Sequence, residues 1–220
     1  QNTKAGLLFI PESLKDQATE AERILLPCEF PRLEILRFIS RFWSEPESDF
    51  NLRDNPSVHK SATIADDVKI GPFSVIGAGV VIGAGSRIGA NCHIENTCMG
   101  TNVKIGSSVT IGGAGFGFED DPTSGETLDF PHIGGVQIGD DVSIGSSTCV
   151  DRGSIGDTII GDGVKIDNLV HIAHNVKVGK GCLITAGFAV AGSTEIGDYC
   201  TFAGQVGIAP HIKIGSNSVF

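Results

Sequence analysis

Met, Trp and Tyr are almost missing from this 220-residue chain, with one of each beside thirty glycines. Because Val and Ile are plentiful instead, that balance fits many short strands joined by tight turns and leaves helix the minority. Basic charge is also thin: 16 Lys and Arg face 26 Asp and Glu, a formal charge of −10. A surface that tracks phosphates needs the opposite balance, so no nucleic acid is expected as a partner. No apolar run approaches the ~18 residues of a membrane-crossing helix, and no membrane span is expected. The six cysteines, at 28, 92, 98, 149, 182 and 200, form no CxxC pair and fall short of a disulfide scaffold. That usage indicates a reducing compartment.

What is abundant is a period. From Ile160 onward every sixth residue is bulky and apolar: Ile160, Ile166, Ile172, Val178, Ile184, Val190, Ile196, Phe202, Ile208, Ile214 and Phe220. A period of six fits neither a helix nor a single strand, and hexads of this kind mark a parallel β-helix. The same spacing runs through Ile64, Ile70, Ile76, Ile82, Ile88 and Ile94, slips before Ile105, and resumes at Ile111. After Ile138, Ile144 and Val150 it slips again through Asp151–Ile155. Gly or Ala usually follows the large residue, which lets the chain turn a corner, and Val, Cys, Ser or Ala four places on can fill the space beneath.

Three hexads per coil would stack positions eighteen apart at roughly the 4.8 Å spacing of neighbouring strands. One predicted column is Asp162, Lys180 and Asp198; another is Gly156, His174, Gly192 and Pro210. Cys182 and Cys200 stack likewise and read as interior fillers rather than a disulfide. Residues 112–135, GGAGFGFEDDPTSGETLDFPHIGG, interrupt the repeat. A solenoid can expel such an insertion without losing its stack, and the stretch is read as a site loop. The ladder still runs at Phe220, which implies that a further segment or an oligomer covers that end.

Residues 1–54 differ in kind. Leu7–Ile10 and Ile24–Leu26 predict short strands, and Pro31 to Trp43 predicts a helix whose stripe is Leu33, Ile35, Leu36, Phe38, Ile39, Phe42 and Trp43. Ser44 to Asn55 reads as a linker. The fold class is therefore mainly β: a small N-terminal α/β piece with its linker over 1–54, then a hexapeptide-repeat β-helix over 55–220 with the loop 112–135 inserted.

Chemistry concentrates in Asp167-Asn168-Leu-Val-His171-Ile-Ala-His174-Asn175. An imidazole on a rigid corner suits general-base work near neutral pH, with Asp167 one hexad earlier to orient it. Gly192, beneath His174 in its column, either turns a corner or leaves a slot that a thin substrate arm can approach. His211 lies beside the same column. A metal reading competes: His171 and His174, with His93 or His132, could supply three imidazoles and an open position. Against it, no further His stacks eighteen residues from either.

These residues carry a resemblance. GGAGFGF at 112–118, PHIGGVQIGDDVSIG at 131–145, TCVDRGSIGDTIIGDGVKIDNLVHIAHNV at 148–176, AGSTEIGDYC at 191–200 and FPRLEILRFISRF at 30–42 resemble the UDP-3-O-acylglucosamine N-acyltransferases of lipid A biosynthesis. The resemblance implies a left-handed coil, a homotrimer, and a bacterial cytoplasmic enzyme, or an organellar one in a plant. It implies that acyl carrier protein donates a fatty acyl chain, generally 3-hydroxylated, to the 2-amine of a UDP-sugar. No metal and no separate cofactor would be needed, since 4′-phosphopantetheine arrives on the carrier.

By the same resemblance His174 is the base, Asp167 a polar partner in the sugar site, and Gly192 the backbone N–H donor to the oxyanion. His211, Asn168, His171, Phe116 and Phe118 line the substrate site, and 1–54 is the remainder of a uridine-binding domain. Two other readings fit the same coil: an acetyl-CoA-dependent sugar acetyltransferase, and a non-catalytic trimeric binding or structural coil.

Overall fold

A computed structural model describes residues 7–14, 24–42 and 56–220. Trp43 and the linker Ser44–Asn55 lie outside the described residues. The rest falls into two compact units: the N-terminal residues with Gly117–Pro131, and the coil with both feet of the insertion.

In the N-terminal unit, strands Leu7–Pro11 and Ile24–Cys28 pair in parallel, Leu7 opposite Ile24. The helix Pro31–Phe42 begins on the predicted proline and buries Leu33, Leu36 and Ile39, the i, i+3, i+6 core of the expected stripe. Phe38 and Phe42 stay exposed at its far end and pack on each other, with centroids 4.9 Å apart. The outer part of the insertion is an antiparallel hairpin, Phe118–Asp120 with Thr127–Asp129. Arg32 pairs with Glu119, and Arg37 with Asp121.

The coil is a left-handed parallel β-helix. Strands of two to four residues build three parallel sheets of eight, eight and seven strands, one per face. They are called here the His171 face, the Lys177 face and the Lys165 face, and the chain visits them in the order Lys165, His171, Lys177. The hexad residues point inward: Ile76, Ile94, Ile111, Ile172, Val190 and Phe202 are fully buried in one continuous core. Neighbouring coils pair eighteen residues apart through the perfect run, His171 opposite Ala189 and Lys177 opposite Glu195.

Corners explain the rest of the repeat. Glycines after the large residue are needed less for their own dihedrals than for room. A Cβ at Gly71 would lie 2.6 Å from the Gly89 carbonyl carbon, and one at Gly179 would lie 2.5 Å from that of Gly197, so the next coil's backbone occupies the space. The filler position beneath usually holds Val, Phe188 in one coil, or a short side chain that donates to the next coil's carbonyl. Ser74 Oγ reaches Gly89 O (2.8 Å), Thr148 Oγ reaches Asp167 O (2.9 Å) and Thr194 Oγ reaches Ala209 O (2.9 Å). Cys182 and Cys200 are free, buried thiols that do the same to Gly197 O and Gly215 O, each at 3.2 Å. Burial pushes the Cys182 thiol up to about 11.

The two slips and the insertion are absorbed between coils. Thr97 pairs with Val136 across the whole insertion. Later, Ile138 pairs with Ile160 and Ser143 with Lys165, the longer separation accommodating extra residues around Asp151–Asp157. The register also breaks between Ile111 and Gly113 opposite Asp151. Irregularity is thus concentrated at one corner of the His171 face.

Two outcomes follow. Ile172→Ala deletes a fully buried ladder residue and should lower unfolding stability by about 2–5 kcal/mol, read as a lower denaturant midpoint. In the N-terminal unit, the Thr123 Oγ–H (2.6 Å) and N–H (2.8 Å), with Arg37, hold the Asp121 carboxyl down at about 2. A carboxyl depressed on folding stabilises above its unfolded value and loses that contribution as pH falls through the folded one. Acid unfolding of this unit should therefore set in near pH 2–4, and Asp121→Asn should remove that pH dependence, as followed by amide exchange.

Candidate active site

The irregular corner surrounds His174. After the strand His171–Ile172 the chain turns through Ala173, His174 and Asn175, with Asn175 in the left-handed region at φ 60°. Asn is among the side chains that tolerate that conformation. Its amide is fixed from both ends: Nδ2 donates to Gly156 O (2.9 Å), and Oδ1 accepts the Ser154 N–H (2.9 Å). The His174 Nδ1 lies 3.0 Å from that same Oδ1, so Nδ1 must carry the proton and donate. Ser154 Oγ stands 3.4 Å from the same nitrogen. In the neutral ring this leaves the lone pair on Nε2, as a base requires.

Nε2 faces Gly192. A Cβ at Gly192 would lie 2.5 Å from it, so only glycine fits beneath the ring. The Gly192 N–H donates to no acceptor among the described residues, whereas its neighbours do: Ala191 N–H to Ile208 O and Ser193 N–H to His174 O, both at 3.0 Å. His211 follows on the next coil at φ 59°, and its N–H donates to Gly192 O at 3.1 Å. Gly192 thus stacks beneath His174, as the eighteen-residue register predicts.

Both feet of the insertion close on the imidazole. His132 is buried and meets His174 edge-on, ring centroids 5.1 Å apart. Gly115 lies so close that a Cβ there would come within 2.8 Å of the His174 Cβ and 3.0 Å of the His132 Nε2. Phe116 is next along this foot and is 84% exposed, while Phe118 belongs to the hairpin of the N-terminal unit.

Asp167 does not orient His174. It occupies the preceding corner, after the strand Lys165–Ile166, where its carboxylate accepts the Asn168 N–H (2.8 Å) and the Ala186 N–H (3.2 Å). One hexad is one whole face, which carries the side chain away from the next corner. Asn168 likewise accepts the Ser146 N–H at 2.7 Å. The orienting contact expected of Asp167 is made by Asn175, adjacent in the chain and readable in the IAHN motif. The carboxylate beside His171 is Asp151, from the register slip. His171 Nε2 lies 3.7 Å from Asp151 Oδ2. Burial pushes the Asp151 carboxyl up, and His171 and His174 draw it back down.

For the metal reading, His93 pairs with Glu95 (3.4 Å) rather than with His171 or His174. That contact raises the imidazole and lowers the carboxyl. Among the described residues no three His, Cys, Asp or Glu converge as a metal-holding group.

With this geometry in place, known proteins give a consistent answer. The model for bacterial transferase hexapeptide (six repeats) matches residues 52–84, 61–96 and 157–187. A UDP-3-O-acylglucosamine N-acyltransferase from Caulobacter sp. (strain K31) is 48% identical over 105 residues, 48% of this chain and 30% of the relative. One from Methylobacterium nodulans is 52% identical over 101 residues, 46% of this chain and 28% of the relative. This chain is similar to UDP-3-O-acylglucosamine N-acyltransferases.

The matched stretch spans only about a third of those relatives' length. Among solved structures, the UDP-N-acetylglucosamine O-acyltransferase (LpxA) from Moraxella catarrhalis RH4 shares 25% identity over 74% of this chain and 64% of that one, with a TM-score of 0.55. LpxA from Acinetobacter baumannii shares 26% identity over 74% and 64%, with a TM-score of 0.53. The resemblance read from the motifs and the coil read from the hexads are both borne out.

Gly192→Ala should displace the imidazole and abolish any activity that needs it, while leaving the coil folded. A crystal structure or a His174 side-chain NMR shift of the variant checks the displacement.

Proposed function

We propose that this chain carries the transfer centre of an N-acyltransferase. It would move a 3-hydroxy fatty acyl chain from acyl carrier protein to the 2-amine of UDP-3-O-acylglucosamine, the acceptor in its relatives' printed names. The observation that carries the reading is the His174 ring itself, with Nδ1 engaged by the Asn175 amide oxygen and Nε2 turned to a glycine.

The chemistry is short. The amine nitrogen attacks the thioester carbonyl, forming the C–N bond while His174 Nε2 takes the amine proton. The carbonyl oxygen becomes an oxyanion, and the unpaired Gly192 N–H is a donor of the kind that stabilises it. Collapse breaks the C–S bond, and His174 returns its proton to the departing thiolate. No metal takes part and no cofactor is needed beyond the carrier's own phosphopantetheine.

His211, Asn168, His171, Asp167, Phe116 and Phe118 form the substrate-contacting set in this proposal. Asp167 and Asn168 stand a corner away from His174 within one chain, so their part would be played toward the sugar, or across the interface of a homotrimer. The enzyme would work in the cytoplasm, and no described helix is long and apolar enough to cross a membrane.

Acyl transfer assayed on the whole chain with an acyl-carrier-protein thioester tests the proposal. His174→Ala should lose about 10²–10⁴-fold in turnover; wild-type turnover would sink the base assignment. Transfer from acetyl-CoA and none from the carrier would replace the reading with a sugar acetyltransferase. Tight UDP-sugar binding without turnover would replace it with a binding coil.

A further inference from the structure

Cations are scarce in this chain, yet four of the nine within residues 56–220 stand in one column. On the Lys165 face, Lys69 pairs with Arg87, Arg87 with Lys104, Lys104 with Ser143 and Ser143 with Lys165. All four cations take the outward place of a two-residue strand and are exposed. Like charges directly opposite one another destabilise a sheet, so three in succession are a cost to the fold.

The other two faces show that the repeat does not demand this cost. On the Lys177 face the outward place runs Lys177, Glu195, Lys213, and Glu195 lies 3.7 Å from the first amine and 2.9 Å from the second. On the His171 face it runs Val75, His93, Thr110, Cys149, His171 and Ala189, with no Lys or Arg. Among the described residues, Lys69, Arg87 and Lys104 make no ion pair. Lys165 reaches back along the column to Asp141 O and Ser143 Oγ, both uncharged acceptors.

The acids at the two flanking corners are turned to backbone instead. Before this face, Asp67 accepts the Gly85 N–H (2.9 Å), Asp140 the Thr101 N–H (2.6 Å) and Asp162 the Asp140 N–H (2.9 Å). After it, Asp167 accepts the Ala186 N–H (3.2 Å). The result is a positive line one residue wide between two acidic margins. A broad anionic surface, such as a bilayer or a duplex, would meet the margins along with the line. A narrow ligand that presents its acids in single file meets only the line.

We propose that the Lys165 face docks an acidic α-helix of a partner protein, laid along the coil axis over Lys69, Arg87 and Lys104. Carboxylates at i, i+4 and i+7 of a helix rise by about 6 and 10 Å. The cations on successive coils step by about 5 and 10 Å. A face one hexad wide, roughly 20 Å at most, holds a single helix of about 10–12 Å. Leu183, next in the column after Lys165 and 47% exposed, offers an apolar contact at the far end. The inference is independent of the acyl-transfer reading, since this face does not border the His174 corner.

The test is fluorescence anisotropy on the whole chain with two labelled helical peptides of equal charge. One carries Glu at i, i+4, i+7 and i+11, and the other has the same glutamates spread around the helix. The first should bind on the order of tenfold more tightly, because its charge pairs form together, and its binding should fade as salt is raised. The variant Lys69→Gln with Arg87→Gln and Lys104→Gln should lose that preference, with a thermal midpoint that holds or rises because the repulsion is gone. Lys69→Arg with Lys104→Arg should keep the preference, and Lys177→Gln with Lys213→Gln should leave it within about twofold.

No binding of the first peptide, equal binding of the two, a preference that survives the triple Gln variant, or a lower midpoint in that variant overturns the proposal. Binding to phosphatidylglycerol vesicles that the triple variant loses, without any peptide preference, also overturns it and assigns the face to a lipid surface.

Discussion

The structure depends on the hydrogen-bond ladder between successive coils. Strands of two to four residues give each coil only a few bonds per face, such as His171 N–H to Phe188 O (2.9 Å) and Ala189 N–H to Val206 O (3.0 Å). Within one coil only a few corner bonds act, such as Ala62 N–H to His59 O (2.9 Å), and each coil is templated by the next, as in any one-dimensional stack. The corners therefore bear the tightest constraints. Peptides of adjacent coils lie there too close for a side chain, and buried hydroxyls and thiols satisfy carbonyls that no strand pairs.

That constraint also shapes the site. A corner that must pack against its neighbours above and below is rigid, so a side chain placed on it is held without a dedicated scaffold. His174 uses this rigidity: Gly192 below leaves room for the ring, and the Asn175 amide fixes its tautomer. The same ladder tolerates extra residues only by pushing them outward. The two places where the repeat fails, the insertion and the slip after Val150, supply the remaining walls: His132 and Gly115 from the first, Ser154 and Asp151 from the second. Order supplies the frame and disorder in the repeat supplies the chemistry.

The choice of partner for His174 has an electrostatic logic. An amide orienter holds the tautomer without adding a charge to the corner, and the nearby Asp151 carboxylate faces His171 instead.

The sequence by itself determined the coil. A strict apolar hexad can be satisfied only by burying one residue per face. From that constraint came the core, the eighteen-residue register, the stacked cysteines as fillers, and the placing of Gly192 beneath His174. The helix at Pro31 was equally legible, because its cap and stripe are local. Only the tertiary structure decided which groups meet around the imidazole. Spacing gives a residue's place in a column but not how its side chain crosses a corner, so Asp167 looked nearer to His174 than the whole face between them allows. His132 and Ser154 are remote from His174 in sequence, and they reach it only because expelled segments must return to a ladder whose register the neighbouring coils impose.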